Sequence, residues 1–86
     1  MFYVYVIQST KDGSLYKGFS EDYLKRLEAH NNGESKYTST KMPWKLLYVE
    51  VHVTKREALI RERKLKKANN KYIQWLVQQD SNILRP

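Results

Sequence analysis

The sequence contains no cysteine, so neither disulfide bonds nor a thiolate zinc site can supplement its core. Histidine is almost as scarce. His30 and His52 stand far apart in the chain, which excludes a His-rich metal centre. No apolar run approaches the roughly 20 residues needed to cross a bilayer. The opening stretch Met1-Phe2-Tyr3-Val4-Tyr5-Val6-Ile7 lacks the basic leader and small-residue cleavage site of a signal peptide. A cytoplasmic location without membrane contact is the default expectation. Acidic residues are the minority, nine against sixteen Lys and Arg, for a net charge of +7. That excess favours a polyanionic partner, with nucleic acid ahead of an acidic membrane surface. A basic surface that serves only solubility is the plainer alternative.

What is present is enough for one small core. The 86 residues are 41% apolar and 13% aromatic, with seven Tyr, two Trp and two Phe, so much of the buried area must be aromatic. A single domain over 1–80 with a flexible tail over 81–86 is expected, with no internal repeat and no low-complexity tract.

Residues 2–7 are apolar throughout and rich in β-branched and aromatic types, the pattern of a central strand covered on both faces. Asp12-Gly13 supplies turn chemistry, and Leu15 to Phe19 reads as a second, antiparallel strand. Ser20 is the expected N-cap of a helix over about 21–31, which Asn31-Asn32-Gly33 ends. Residues 33–43 read as a polar loop. Trp44 to Val53 is a third strand, with Leu47, Val49, Val51 and Val53 on one face. Thr54-Lys55-Arg56-Glu57 is a capping box that opens a helix to about Lys67. A last helix covers about 71–79 with Ile73, Leu76 and Val77 as its apolar stripe. The order ββαβαα makes this an α+β domain, a small three-stranded, largely antiparallel sheet flanked by three helices.

Strand alternation puts Tyr3, Tyr5 and Ile7 on one face of the first strand, and Tyr16 with Gly18 on one face of the second. Asp22, Arg26 and His30 form a polar stripe at i, i+4 and i+8 of the first helix, with Leu24 and Leu27 turned to the core. In the helix after Thr54, Ala58, Leu59 and Leu65 define the apolar face, and Glu62 falls on that side. A carboxylate there is costly unless a cation or hydrogen-bond donors meet it. Each residue alone has a plainer reading: core tyrosines, a solvated Arg/His face, a Glu62 paired with a nearby base. Their combination points to a site.

These residues resemble the GIY-YIG nuclease domain family, in its compact single-domain form similar to the nuclease module of the bacterial excision-repair enzyme excinuclease ABC. The first motif stands here as Tyr3-Val4-Tyr5 and the second as Tyr16-Lys17-Gly18, with Tyr5 and Tyr16 eleven residues apart. Tyr23-Leu24-Lys25-Arg26-Leu27-Glu28-Ala29-His30-Asn31 resembles the family's helix with its Arg and His. Lys36-Tyr37-Thr38 and Pro43-Trp44-Lys45-Leu46 resemble the connecting loop and third strand. Glu57-Ala58-Leu59-Ile60-Arg61-Glu62 resembles the stretch that ends in the metal-binding Glu. The match covers residues 2 to about 68. It departs at Tyr3-Val4 for Gly-Ile, at Lys17 for the central Ile, and at Phe19, where some members carry a Lys.

The resemblance implies a metal-dependent DNA endonuclease, structure-specific and serving repair or recombination. Tyr5, Tyr16, Arg26 and His30 would be catalytic, and Glu62 would bind one divalent cation, Mg²⁺ or Mn²⁺. Arg26 would meet the phosphate, and a tyrosine, Tyr5 ahead of Tyr16, would take the proton of the attacking water. Lys17, Lys25, Lys36, Lys41, Arg61 and Lys64 are candidates for phosphate contacts. DNA is the expected partner, with a targeting protein as a second. The alternative is a catalytically silent nucleic-acid-binding module of the same fold.

Overall fold

The computed structural model describes residues 1–85. Its centre is β1 (Phe2–Ser9), flanked by β2 (Leu15–Ser20) and β3 (Trp44–His52) in the order β2-β1-β3, antiparallel throughout. Four helices complete it: α1 (Tyr23–Asn31), α2 (Lys36–Ser39), α3 (Lys55–Lys67) and α4 (Asn70–Val77). The expected order holds, with one addition. The stretch 33–43, expected as loop, contains the helical turn α2. Among the described residues no helix is long and apolar enough to cross a membrane.

The all-apolar β1 is central because both of its faces have somewhere to go. Val4 and Val6 pack with Tyr48, Ala58, Leu65, Ile73 and Leu76 under α3 and α4. Tyr5 and Ile7, pointing the other way, pack with Trp44, Val49 and the α1 residues Tyr23 and Leu27. Each fully buried aliphatic here contributes about 1.5–3 kcal/mol. Gly13 takes φ +80° in the β1–β2 turn, as the Asp-Gly signal required.

Several expectations shift. The N-cap of α1 is Asp22, whose carboxylate accepts from the Lys25 amide; Ser20 instead accepts from the Asp22 amide, one step earlier. Leu24 is 60% exposed, because α1 buries its Tyr23–Leu27–His30 side. On α3, Ala58 and Leu65 are buried but Leu59 is exposed. The expected Leu47–Val49–Val51–Val53 face does not form. A register shift at Val6/Ile7 puts Val6 opposite Tyr48 and Ile7 opposite Leu46, so Leu47 is an extra residue on β3. Such a bulge breaks the alternation. Leu47 and Tyr48 both join the α3 side, while Val51 and Val53 are exposed.

Residues 81–85, expected to be loose, are tied to β3. Asn82 is buried, accepts from the Val49 amide and donates to the Leu47 and Val77 carbonyls, and the Ile83 amide donates to the Val49 carbonyl. Pro86 lies outside the described residues.

Candidate active site

The site is built on one missing side chain. Tyr5 pairs across the strands with Gly18, and its ring lies over the glycine so closely that a Cβ there would overlap the phenol carbon Cζ and the hydroxyl oxygen. Gly18 thus lets the Tyr5 ring extend over the edge strand β2. Ile7 pairs with Tyr16, which puts the two phenol rings 6.4 Å apart at 40° on the same face.

Around them, α1 and α2 close a polar chain. The Tyr5 hydroxyl is 3.0 Å from His30 Nε2, and His30 Nδ1 is 2.8 Å from the Thr38 hydroxyl. Thr38 is held in turn because the Trp44 indole N–H donates to its carbonyl at 2.9 Å. Tyr16 packs edge-on to His30, 4.9 Å between centroids, and contacts Trp44 and the exposed Tyr37. Asn31, the last residue of α1, bonds both the amide and the carbonyl of Trp44, like one further rung of a sheet. That clamp fixes α1 against the start of β3.

Tyr5, His30 and Thr38 are all buried, so the chain works in a low-dielectric setting where ionised forms are costly. Burial pushes the Tyr5 phenol above its ordinary value. The Arg26 guanidinium, close enough to act on the hydroxyl, pulls the other way, and the Tyr16 and Glu62 charges add to the rise. Burial also lowers His30, and the Arg26 charge lowers it further. Both groups are therefore neutral at neutral pH. With the Tyr5 hydroxyl donating to Nε2, Nδ1–H donates to Thr38, and every polar atom of the chain is used.

The electrostatic neighbours of the Tyr5 hydroxyl thus include Tyr16, Arg26 and Glu62, with His30 in direct hydrogen bond. Tyr5, Tyr16, Arg26 and His30 come from β1, β2 and α1. Glu62 comes from α3, whose Ala58 and Leu65 pack on the opposite face of the sheet. Arg26 is exposed and Glu62 partly so. Thr38 and Asn31 are supporting residues that the sequence pattern did not single out, and the close approach of Tyr5 to Gly18 is a further support. The sequence pattern showed Gly18 on the Tyr16 face but not the register that sets it opposite Tyr5.

Among the described residues no three His, Asp or Glu side chains gather to hold a metal ion. Glu62 is the residue expected to hold an ion. Its side chain is 19% exposed, and its pair with Lys66 is a long one, 3.7 Å, to a lysine that is itself 55% exposed. Such a pair leaves carboxylate oxygens free. A magnesium-type ion needs only one or two carboxylates when water and phosphate fill the other positions. The donor set fits.

The basic residues divide. Lys25 and Lys36 are exposed on α1 and α2. Lys41 is engaged with Asp12 at 2.9 Å and Ser14 at 3.0 Å, tying its loop to the β1–β2 turn. Lys17 shares a strand face with Leu15 and Phe19, which pack under α3. Arg61 donates from Nε to both oxygens of Glu50, at 3.1 and 3.0 Å. Lys64 is exposed on α3.

Glu50, an unremarked strand residue in the sequence pattern, is only 6% exposed. It accepts from Tyr48, lies 2.5 Å from His52 Nε2, and pairs with Arg61. Burial, reinforced by the Glu50 hydrogen bond, pushes the Tyr48 phenol up to about 12. This second cluster sits on the α3 face of the sheet.

With this geometry in place, the comparison with known proteins is specific. Residues 1–75 match the GIY-YIG catalytic domain, and the chain belongs to that family. A UPF0213 protein of Staphylococcus saprophyticus is 48% identical over 65 residues, 74% of this chain and 78% of the relative. A UPF0213 protein of Bacillus licheniformis is 47% identical over 70 residues, 80% of this chain and 71% of the relative. The solution NMR structure of a UPF0213 protein from Bacillus halodurans is similar with a TM-score of 0.58 and 30% identity, covering 98% of this chain and 90% of that one.

Proposed function

We propose that the protein is a metal-dependent DNA endonuclease that hydrolyses a phosphodiester bond at Tyr5, Tyr16, Arg26, His30 and Glu62. The observation that supports this reading is the buried Tyr5 hydroxyl in hydrogen bond with His30, with Tyr16 beside both on the same face of the sheet. Packing alone gives no reason for a partly buried Glu62 with one long ion pair. Family membership makes nuclease chemistry the expected class.

Arg26 offers a permanently charged fork to the non-bridging phosphate oxygens, where charge accumulates in the transition state. Lys25 and Lys36 flank it as phosphate contacts, which position DNA without reading its sequence. Glu62 would hold the divalent ion, Mg²⁺ or Mn²⁺, which supplies Lewis-acid polarisation of the phosphate and charge for the leaving 3′-oxygen. The proton of the attacking water goes to Tyr16 rather than Tyr5, with Tyr16 acting as a phenolate whose own proton has first passed to bulk solvent. Tyr16 is partly exposed, whereas Tyr5 is buried, hydrogen-bonded to His30 and held neutral. Tyr5 and His30 then orient Tyr16 and keep the pocket neutral until phosphate and ion arrive. Nicking of branched DNA, in repair or recombination, is the mode that phosphate-only contacts fit best.

The test is incubation of purified protein with supercoiled plasmid and branched DNA, in Mg²⁺, in Mn²⁺ and in EDTA, beside Glu62→Gln. Nicking that needs the ion and is lost in the variant is the expected result. Tight DNA binding by both proteins with no cleavage under any condition would replace the enzyme with a silent binding module.

A further inference from the structure

The face of the sheet away from the Tyr5–His30 chain carries a groove that this chemistry does not use. Arg61, Lys64, Lys67, Asn69 and Tyr72 are among the residues lining an open groove of about 390 Å³ between α3 and α4. From Arg63 to Gln79 the chain has five basic residues, Arg63, Lys64, Lys66, Lys67 and Lys71, and no acidic one. Beside the groove the Tyr72 and Trp75 rings lie 5.6 Å apart at 33°, and they are 38% and 56% exposed. The apolar side of α4 is already supplied by Ile73 and Leu76, so Trp75 is not a core residue that failed to bury.

The Tyr72 amide donates to the Asn69 side chain. Tyr72 acts on Arg61, which Glu50 grips through both carboxylate oxygens. Cations lining a groove beside adjacent, exposed rings match the chemistry of single-stranded nucleic acid, in which phosphates seek charge and bases seek a π-face.

We infer that the α3–α4 face is a second DNA-contact surface, which grips a single-stranded segment with phosphates against Lys64 and Lys67 and a base stacked on Trp75 and Tyr72. From the proposed function this takes only that DNA is the ligand. The helix α3 that lines the groove also carries Glu62, the proposed ion-binding residue. A protein partner could also use an exposed tryptophan, but seventeen residues with five bases and no acid favour a polyanion.

The experiment is binding of a fluorescein-labelled oligothymidylate in EDTA, so that no cleavage intervenes, read by anisotropy and by tryptophan emission. Trp75→Ala is expected to weaken binding at least about fivefold, and Trp75→Phe, which keeps a ring, to restore most of it. Lys64→Gln with Lys67→Gln should lower the slope of log affinity against log salt by about 0.7 per lost phosphate contact. All of these side chains are exposed, and circular dichroism confirms that each variant is folded. Absence of oligothymidylate binding by the wild type, or wild-type affinity in Trp75→Ala and the double lysine variant, overturns the inference. Binding with no plasmid nicking leaves the surface standing and removes the endonuclease; nicking with unaltered binding in these variants does the reverse.

Discussion

Each of the chain's two histidines is hydrogen-bonded within a cluster that also holds a tyrosine, and the two clusters lie on opposite faces of one sheet. On the α1 side the chain Tyr5–His30–Thr38 is neutral, and Arg26, on the same helix as His30, is exposed. On the α3 side the charge is inside. Glu50 is buried, and Tyr48, His52 and Arg61 all converge on it. The difference separates structural from available electrostatics. Glu50 is fully compensated and fastens α3 to β3, with no bonding capacity left for a ligand. Glu62 has one long contact to an exposed lysine and can accept an ion without breaking anything.

That contrast predicts unequal costs of removal. Glu50→Ala leaves Arg61 partly buried beside no counter-charge, and breaking such a pair costs about 3 kcal/mol. Glu62→Ala, which loses only a surface-type pair, should cost less than about 1 kcal/mol. Urea denaturation of both variants checks this, and equal losses would erase the distinction. Next in size is Gly18→Ala. Its Cβ would collide with a packed phenol rather than a mobile chain end, so a destabilisation of about 1–3 kcal/mol is expected, together with loss of nicking as Tyr5 leaves His30. Retained stability and activity would show that the close approach does not matter.

The smallest effect is in the pH profile. His30 is held below its ordinary value of 6.5, so just below that pH the unfolded chain binds a proton that the folded protein does not. Stability therefore rises with pH through this window and is lost on acidification below about 6.5. Melting curves from pH 7.5 to 5 should fall more steeply for wild type than for His30→Gln, and parallel curves would mean that His30 is not held neutral.

Much of this was legible in the sequence because it depended on local signals. The continuous apolar run at the start marked β1 as central, Asp12-Gly13 fixed the hairpin, and the resulting alternation put Tyr5, Tyr16 and Gly18 on one face. Glu62 stood out as an acid on the apolar side of α3. What escaped depended on distant partners or on short elements. Thr38 lies on a four-residue helix, too brief to show a period. The extra residue Leu47 on β3 put Leu47 on the opposite face from Val49 and Val51. The burial of Glu50 escaped because its cation, Arg61, comes from the next helix. Asn82 fills the backbone donors and acceptors of β3 and α4, which no tail composition announces.

The central claim is that Tyr16 and Glu62, from opposite sides of the sheet, act on one phosphate as a unit. Single-turnover nicking by Tyr16→Phe, Glu62→Gln and the double variant measures this directly. Each single change should slow the reaction about 100-fold or more, and the double variant should be no slower than the worse single one, as groups acting together are non-additive. Wild-type rates in either single variant, or losses that multiply in the double, would contradict the shared site.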